Sequence, residues 1–470
     1  MFVGRTEELA KLERLYRKGS FQMVVVYGRR RVGKTALIRR FGEGKELLYF
    51  TALDQSDKDN LADFSLAVYE FFGAPLATGQ FLSWKDAFDY LAEKATERRF
   101  VLAFDEFPYA ASRSESLPSV LQIAIDHKLK DTGLYLILCG SDQGFMESEV
   151  LGRKSPLYGR RTAQLKLTQL DYLEVAQMLP ARDADELFRY YGCFGGVPYY
   201  LEQIDPELTL VENLRALYFD PTGFLYDEPY GLLRQEFREP ALYNSILRAI
   251  AEGANRPSLM ADKTGIEVAT LPRYLKSLCS LEIIEKIVPF GENPERSRKG
   301  IYRIRDACYD FWFHFVMART SEIELGMGGS IASRIMGGAL STYLGHRFED
   351  LCRQWLIAQA RTGRLPLSAT LVGAWWGAAP DLREQTDIDV LAADPDGKDM
   401  LIGECKYRES FDESLELDDL ARKRDIVKGY HATDLYLFTK HEVSAATRSK
   451  YAAQSDVHFV SLEDMYRDHQ

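Results

Sequence analysis

Apolar positions along the chain follow two rhythms: short β-branched runs that stop abruptly at a glycine or an acid, and longer stretches in which apolar side chains recur every three or four residues. Residues 21–27 form a run of the first kind. It leads into Gly28-Arg29-Arg30-Arg31-Val32-Gly33-Lys34-Thr35 and then into Ala36-Leu37-Ile38-Arg39-Arg40, a helical pattern, so the context reads strand, glycine loop, helix. Residues 100–104 end in Asp105-Glu106, and residues 134–139 end in Gly140-Ser141. Apolar runs of this kind predict buried parallel strands of an α/β sheet, which presents its ligands at the carboxyl ends of the strands.

Beyond residue 240 the rhythm changes. Residues 242–251, 258–265 and 270–281 predict three short helices, the third with Leu271, Tyr274, Leu275 and Leu278 on one face, Thr270 as its cap and Pro272 in its first turn. Residues 283–290 and 300–304 alternate like two strands around the turn Gly291-Glu292-Asn293-Pro294. Three helices and a hairpin predict a winged helix. Residues 309–316 are an aromatic segment that predicts a helix packing one domain on the next, with His314 as a structural residue; the glycines of 326–330 and 337–338 predict a flexible connection. A helix over 340–360, strands over 371–376, 386–393 and 400–406, a helix over 415–429 and a strand over 435–439 follow, with Asp394-Pro395-Asp396-Gly397 turning the second strand into the third.

The length of 470 residues exceeds what one core usually serves, at roughly 100–200 residues per domain. The expected division is 1–240, 241–310 and 311–470. Six scattered cysteines form no CxxC pair, which excludes a zinc ribbon and a disulfide framework as readings of the sequence. No leader pattern opens the chain and no apolar run approaches the roughly 18 residues of a membrane span, so the expected location is the cytoplasm, with no membrane partner. A net charge of -11 argues against a chain that coats nucleic acid, yet residues 241–305 hold 11 Lys or Arg against 7 Asp or Glu. That local excess marks an expected DNA face, with Arg273 and Lys276 on the third helix and Arg296, Arg298 and Lys299 in the wing.

The glycine loop carries the most specific chemistry. Gly28 and Gly33 let consecutive backbone N–H groups face a phosphate at a helix N-terminus. The expected ATP site is thus Gly28, Arg29, Arg30, Arg31, Val32, Gly33, Lys34, Thr35 and Ala36: Lys34, on an exposed side chain, reaches the β- and γ-phosphates, Thr35 ligates Mg²⁺, and the three arginines decorate the outer surface of the loop. Asp105 is expected to serve Mg²⁺, Glu106 to polarise the attacking water and Ser141 to sense the γ-phosphate.

The segment Phe2-Val3-Gly4-Arg5-Thr6-Glu7-Glu8-Leu9, the glycine loop, Asp105-Glu106, Gly140-Ser141, Leu157-Tyr158-Gly159-Arg160 and Gly195-Gly196-Val197-Pro198 together resemble the archaeal-type ATPases of the STAND branch of AAA+ proteins. The resemblance implies that Val3, Gly4 and Arg5 flank the adenine and that Pro198 lies in a helical lid against the nucleotide. It also implies that Arg160, or its neighbour Arg161, approaches the phosphates as a sensor or finger.

In the last third, Glu404 and Lys406 share one strand face, Asp389 shares its own with Asp387 and Leu391, and pairing the two strands can bring Asp389, Glu404 and Lys406 together. Hard oxygen ligands beside a lysine are what metal-dependent phosphodiester hydrolysis requires. The order αβββαβ with Glu349 on the first helix, Asp389, and Glu404-x-Lys406 resembles the PD-(D/E)xK nuclease superfamily, which implies Mg²⁺ or Mn²⁺ on Glu349, Asp389 and Glu404 and a catalytic Lys406; Asp387 competes with Asp389 for the metal. The pairing of this unit with the ATPase also resembles a known two-part family whose C-terminal part has unknown function.

The expected fold is therefore α/β: a P-loop AAA+/STAND ATPase domain with helical lid, a winged-helix middle domain and an αβββαβ restriction-endonuclease-like C-terminal domain. The leading reading is an ATP-controlled DNA nuclease in defence or genome maintenance. A nucleotide-dependent switch that binds DNA or protein without cutting, and a transcription factor led by its winged helix, are the alternatives. A homo-oligomer or a further protein partner is compatible with each.

Overall fold

All six residues of β1 (Gln22–Tyr27) are buried, as its unbroken apolar run requires of a central strand. In the computed structural model, which describes residues 2–74, 79–179, 182–379 and 384–467, β1 joins β2 (Leu47–Thr51), β3 (Val101–Asp105), β4 (Tyr135–Gly140) and β5 (Ala163–Lys166) in a parallel sheet of order β2-β3-β4-β1-β5. Parallel neighbours need crossovers. The helices Lys34–Gly42, Asp57–Phe72, Trp84–Glu97 and Leu117–His127 supply them, and Ser56 and Ser83 cap two of these by accepting from Asp59 N and Asp86 N. One face of the sheet packs on an aromatic-rich core including Phe64, Trp84, Phe88 and Phe104, the other on Leu37, Ile38 and Phe41 of the helix after the glycine loop. Register aligns Tyr27 with Gly140 and Thr51 with Asp105, so the glycine loop, Asp105-Glu106 and Ser141 emerge along one edge.

The chain divides into two compact units, Met1–Leu170 with Val197–Tyr199, and Asp171–Gly196 with Tyr200–Gln470. Ion pairs and hydrogen bonds join segments within the second unit. Buried Arg347, on the long helix Leu340–Thr362, donates to Arg305 O (3.0 Å) and Ile304 O (3.2 Å) and pairs with Asp310; Arg303 reaches Asp350 at 2.5 Å. These bonds tie residues 303–310 to the C-terminal part.

Within the second unit, the helices Pro240–Ala251, Pro257–Thr264 and Leu271–Ser280 precede the antiparallel pair β6 (Ile284–Ile287) and β7 (Ile301–Ile304). Later come β8 (Leu371–Ala379), β9 (Glu384–Ala393), β10 (Asp399–Lys406), β11 (His431–Thr439) and β12 (Val457–Ser461), in the order β12-β11-β10-β9-β8. The pairs β8–β9 and β9–β10 are antiparallel; β10–β11 and β11–β12 are parallel. The flexible connection expected at residues 326–330 is instead helical over Gly328–Arg334. Gly328 is there for close packing, since a Cβ would lie 1.8 Å from Phe219 O. The helix expected over 415–429 ends at Arg422, and Asp412 caps it by accepting from Leu415 N. Among the described residues no helix is long and apolar enough to cross a membrane.

Candidate functional site

The loop after β1 is shaped by conformations that other residues resist. Gly28 has φ 153°, and a Cβ there would stand 2.3 Å from Leu167 O; Gly33 has φ 90° at the start of the helix Lys34–Gly42. Lys34 donates to Gly28 O and Arg29 O, both at 2.9 Å. Its side chain is buried, at 7% exposure, which corrects the expectation that it is exposed. Burial pulls the ammonium below its ordinary value, against the opposing fields of Cys139, Glu106 and Asp105. The expectation that the arginines decorate the outer surface also fails for Arg29, which is 1% exposed. Arg30 donates to Tyr109 OH at 2.7 Å, and Arg31, with φ 70°, lies 5.3 Å from the centre of the Tyr199 ring. A run of cations read as solvated is used as bracing because each guanidinium finds an aromatic or a buried position beside the loop.

Arg5 is buried and left-handed, and its Nη2 donates to Val32 O at 3.2 Å and to Thr168 O. It thereby clamps the loop backbone to the segment after β5. Val3 and Gly4 are half-buried in the approach to it. Pro198 sits at the other side of the loop, with its Cγ 3.8 Å from the position a Cβ would take on Gly33.

The carboxylates converge on the same edge. Asp105 Oδ2 accepts from Thr35 Oγ1 at 3.3 Å and from Tyr49 OH, while Oδ1 accepts from Glu106 N at 3.0 Å. Glu106 is left-handed with φ 50°, and its Oε2 accepts from Ser141 Oγ at 2.9 Å and Ser141 N at 3.1 Å. A hydroxyl and a carboxylate at this separation, with exposed Thr35, fit Mg²⁺, which takes one or two protein oxygens and completes its shell with phosphate and water. Ser141 is committed to Glu106. Arg160 is engaged elsewhere: it binds Asp126 through both Nε (2.9 Å) and Nη2 (2.6 Å), so the motif residue expected to act on phosphate is held by the helix Leu117–His127. Arg161 has its field on Tyr27, next to the loop. Reasoning from the sequence missed Tyr49 and Tyr109; the signal for Tyr49 lay in its position two residues before the end of an edge strand, on the face of its neighbour's terminal acid.

In the second unit, pairing of Gly403 with Val390 brings Glu404 beside Asp389, whose Oδ2 accepts from Cys405 N at 2.9 Å. Burial, then the charges of Glu404 and Glu349, pushes the Asp389 carboxyl up to about 8. Lys406 Nζ bridges Glu404 (2.6 Å) and Glu416 (3.2 Å). Yet among the described residues no group of three His, Cys, Asp or Glu is arranged to hold a metal ion, so Glu349, Asp389 and Glu404 are not gathered into one ligand set. The reason is competition. Lys406 and Lys423 draw on Glu404, while His346 (3.4 Å) and Arg353 (3.8 Å) draw on Glu349. Asp387 is exposed on the same strand. Arg273, Lys276, Arg296, Arg298 and Lys299 are exposed as expected, with Lys299 paired to Glu292 at 2.7 Å.

An ATPase domain predominantly from Archaea matches residues 2–204, and a domain of archaeal and bacterial proteins of unknown function matches residues 312–417. An uncharacterised protein of Methanocaldococcus jannaschii is 32% identical over 429 residues, covering 91% of this chain and 92% of that protein. An uncharacterised ATP-binding protein of the same organism is 51% identical over 47 residues, 10% of this chain and 80% of its own. Among solved structures, the Walker-type ATPase of Pyrococcus abyssi is similar with a TM-score of 0.48 and 23% identity, covering 66% of this chain and 96% of that one.

Proposed function

Because the chain belongs to the family whose ATPase domain comes predominantly from Archaea, we propose that it binds MgATP on the loop Gly28–Thr35 and hydrolyses it as a nucleotide-controlled switch. The observation that carries this reading is the approach of Thr35 Oγ1 to Asp105 Oδ2, 3.3 Å apart, at the mouth of a loop closed by Lys34. Thr35 and Asp105 would hold Mg²⁺, which would supply neutralisation of the phosphate charge. The loop amides and Lys34 bind phosphate, exchanging the carbonyls of Gly28 and Arg29 for phosphate oxygens as partners of the ammonium. Glu106, pinned by Ser141, orients the attacking water and draws its proton, and Arg5 keeps the loop backbone in place. Phosphate release from ATP by the full chain tests the reading: wild type should turn over with Mg²⁺, and Asp105→Asn should lose most of that Mg²⁺-supported turnover. No release in any divalent metal would sink it.

The second unit favours a second reading, in which nucleotide state governs an action on DNA. Its support is the adjacency of Asp389, Glu404 and Lys406 together with the exposed cations Arg273, Lys276, Arg296 and Arg298. Cleavage and binding without cleavage separate in one assay. Mn²⁺-dependent nicking of plasmid that Glu404→Gln abolishes, with ATP hydrolysis intact, would mark a nuclease of the PD-(D/E)xK kind. Binding that Arg273→Glu weakens, with no nicking in either nucleotide state, would mark a switch that does not cut.

A further inference from the structure

Tyr49 lies on β2, separated by β3 and β4 from the strand that leads into the loop, and nothing in the loop motif calls for it. Its Cα pairs with Ala103, so its side chain leaves the sheet on the face shared by Ala103 and Asp105. That face is covered by the helix Lys34–Gly42. Thr35 and Arg39, four residues apart and so on one side of that helix, both face the tyrosine, and the Arg39 guanidinium stands 5.5 Å from the ring centre. The hydroxyl donates to Asp105 Oδ2, the oxygen that also accepts from Thr35. Asp105 Oδ1 is taken by Glu106 N at 3.0 Å. The carboxylate is therefore held at both ends, one by its own chain and one by Tyr49.

We propose that Tyr49 is a positioning residue for the divalent cation: its hydroxyl fixes the rotation of the Asp105 carboxylate beside Thr35, so that the pair is already set when MgATP arrives. The inference rests on the MgATP reading of the site. Thr35 would offer its oxygen lone pair to a cation while its O–H still donates to Asp105, and Tyr49 adds a second side-chain donor that keeps Oδ2 from swinging. Mg²⁺ demands near-ideal octahedral geometry, and donors that orient its ligands typically carry 10–100-fold in metal affinity.

The test uses the full chain with ADP and Mn²⁺ as the probe. Mn²⁺ binding to the ADP complex is followed by electron paramagnetic resonance, and ADP affinity is measured by calorimetry in EDTA. Tyr49→Phe should weaken Mn²⁺ about tenfold while leaving metal-free ADP affinity and the unfolding midpoint unchanged. Arg39→Gln, which removes the cation over the ring and keeps the hydroxyl, should bind Mn²⁺ like wild type. Mn²⁺ affinity in Tyr49→Phe within twofold of wild type overturns the inference, as does an equal loss in Arg39→Gln, which would assign the effect to packing. If wild type itself shows no ADP-dependent Mn²⁺ binding, the MgATP reading falls and Tyr49 with it.

Discussion

Ser141 holds one oxygen of Glu106 with both its hydroxyl, at 2.9 Å, and its amide, at 3.1 Å. Glu106 adopts a left-handed backbone at φ 50°, a conformation that costs a non-glycine residue about 1–3 kcal/mol and persists where surroundings enforce it. Two strand ends, β3 and β4, thus cooperate to aim one carboxylate. Glu106→Gln should retain ATP binding and lower hydrolysis by roughly 10²–10⁴-fold, the usual worth of a positioned base. Ser141→Ala should lower kcat in the same direction by a smaller factor with ATP affinity unchanged. Steady-state phosphate release and calorimetry on the same preparations check both; wild-type turnover in Glu106→Gln would remove that carboxylate from the chemistry.

Arg5 is expected to act on loop stability more than on the base. Its guanidinium joins Val32 O to Thr168 O, two segments 136 residues apart in sequence that no regular strand pairing connects at that point. A hydrogen bond from a charged donor contributes about 1.5–3 kcal/mol. Arg5→Ala should lower the urea midpoint of the chain and weaken ATP binding, and saturating MgATP should restore part of the midpoint by mass action. Unchanged stability and affinity in the variant would show the clamp to be idle.

The loop and its acids were legible because each closes an apolar run, and strand register then brings Gly28, Asp105 and Ser141 to one edge whatever else the chain does. What escaped depends on non-local pairing. Tyr49 becomes meaningful only when β2 is laid beside β3, and Arg160 looks like a phosphate finger until the helix bearing Asp126 arrives next to it. Charge was read as exposure at Arg29 and Lys34, yet both are buried by the loop they belong to. Glycine was read as freedom at Gly328, where it serves close packing against Phe219. Alternation along β10 foretold that Glu404 and Lys406 share a face; it could not foretell that Lys423, just past the helix Glu413–Arg422, competes for Glu404 while Arg353, one turn along its own helix, competes for Glu349.

His314 gives the second unit a pH dependence with a defined sign. Its hydrogen bond to Asp310 raises the imidazole above its ordinary 6.5, while burial and Arg347 oppose. A group whose folded value is raised contributes stability fully below its unfolded value and loses it as pH climbs through the folded one. The urea midpoint of wild type should therefore exceed that of His314→Asn at pH 5.5, and the gap should narrow by pH 8.5. A gap that stays constant or widens over this range would show that the imidazolium–Asp310 contact is not the source.

The most direct measurement is calorimetric titration of ATP, with Mg²⁺, into wild type and Lys34→Ala. Lys34 is the buried cation whose present partners are the carbonyls of Gly28 and Arg29, and it is the group best placed to exchange them for β- and γ-phosphate oxygens. Wild type should bind one ATP per site, and the folded variant, verified by circular dichroism, should lose at least about 100-fold in affinity, the equivalent of roughly 2.7 kcal/mol. Equal affinity in the folded variant, or no binding by wild type, would contradict the account.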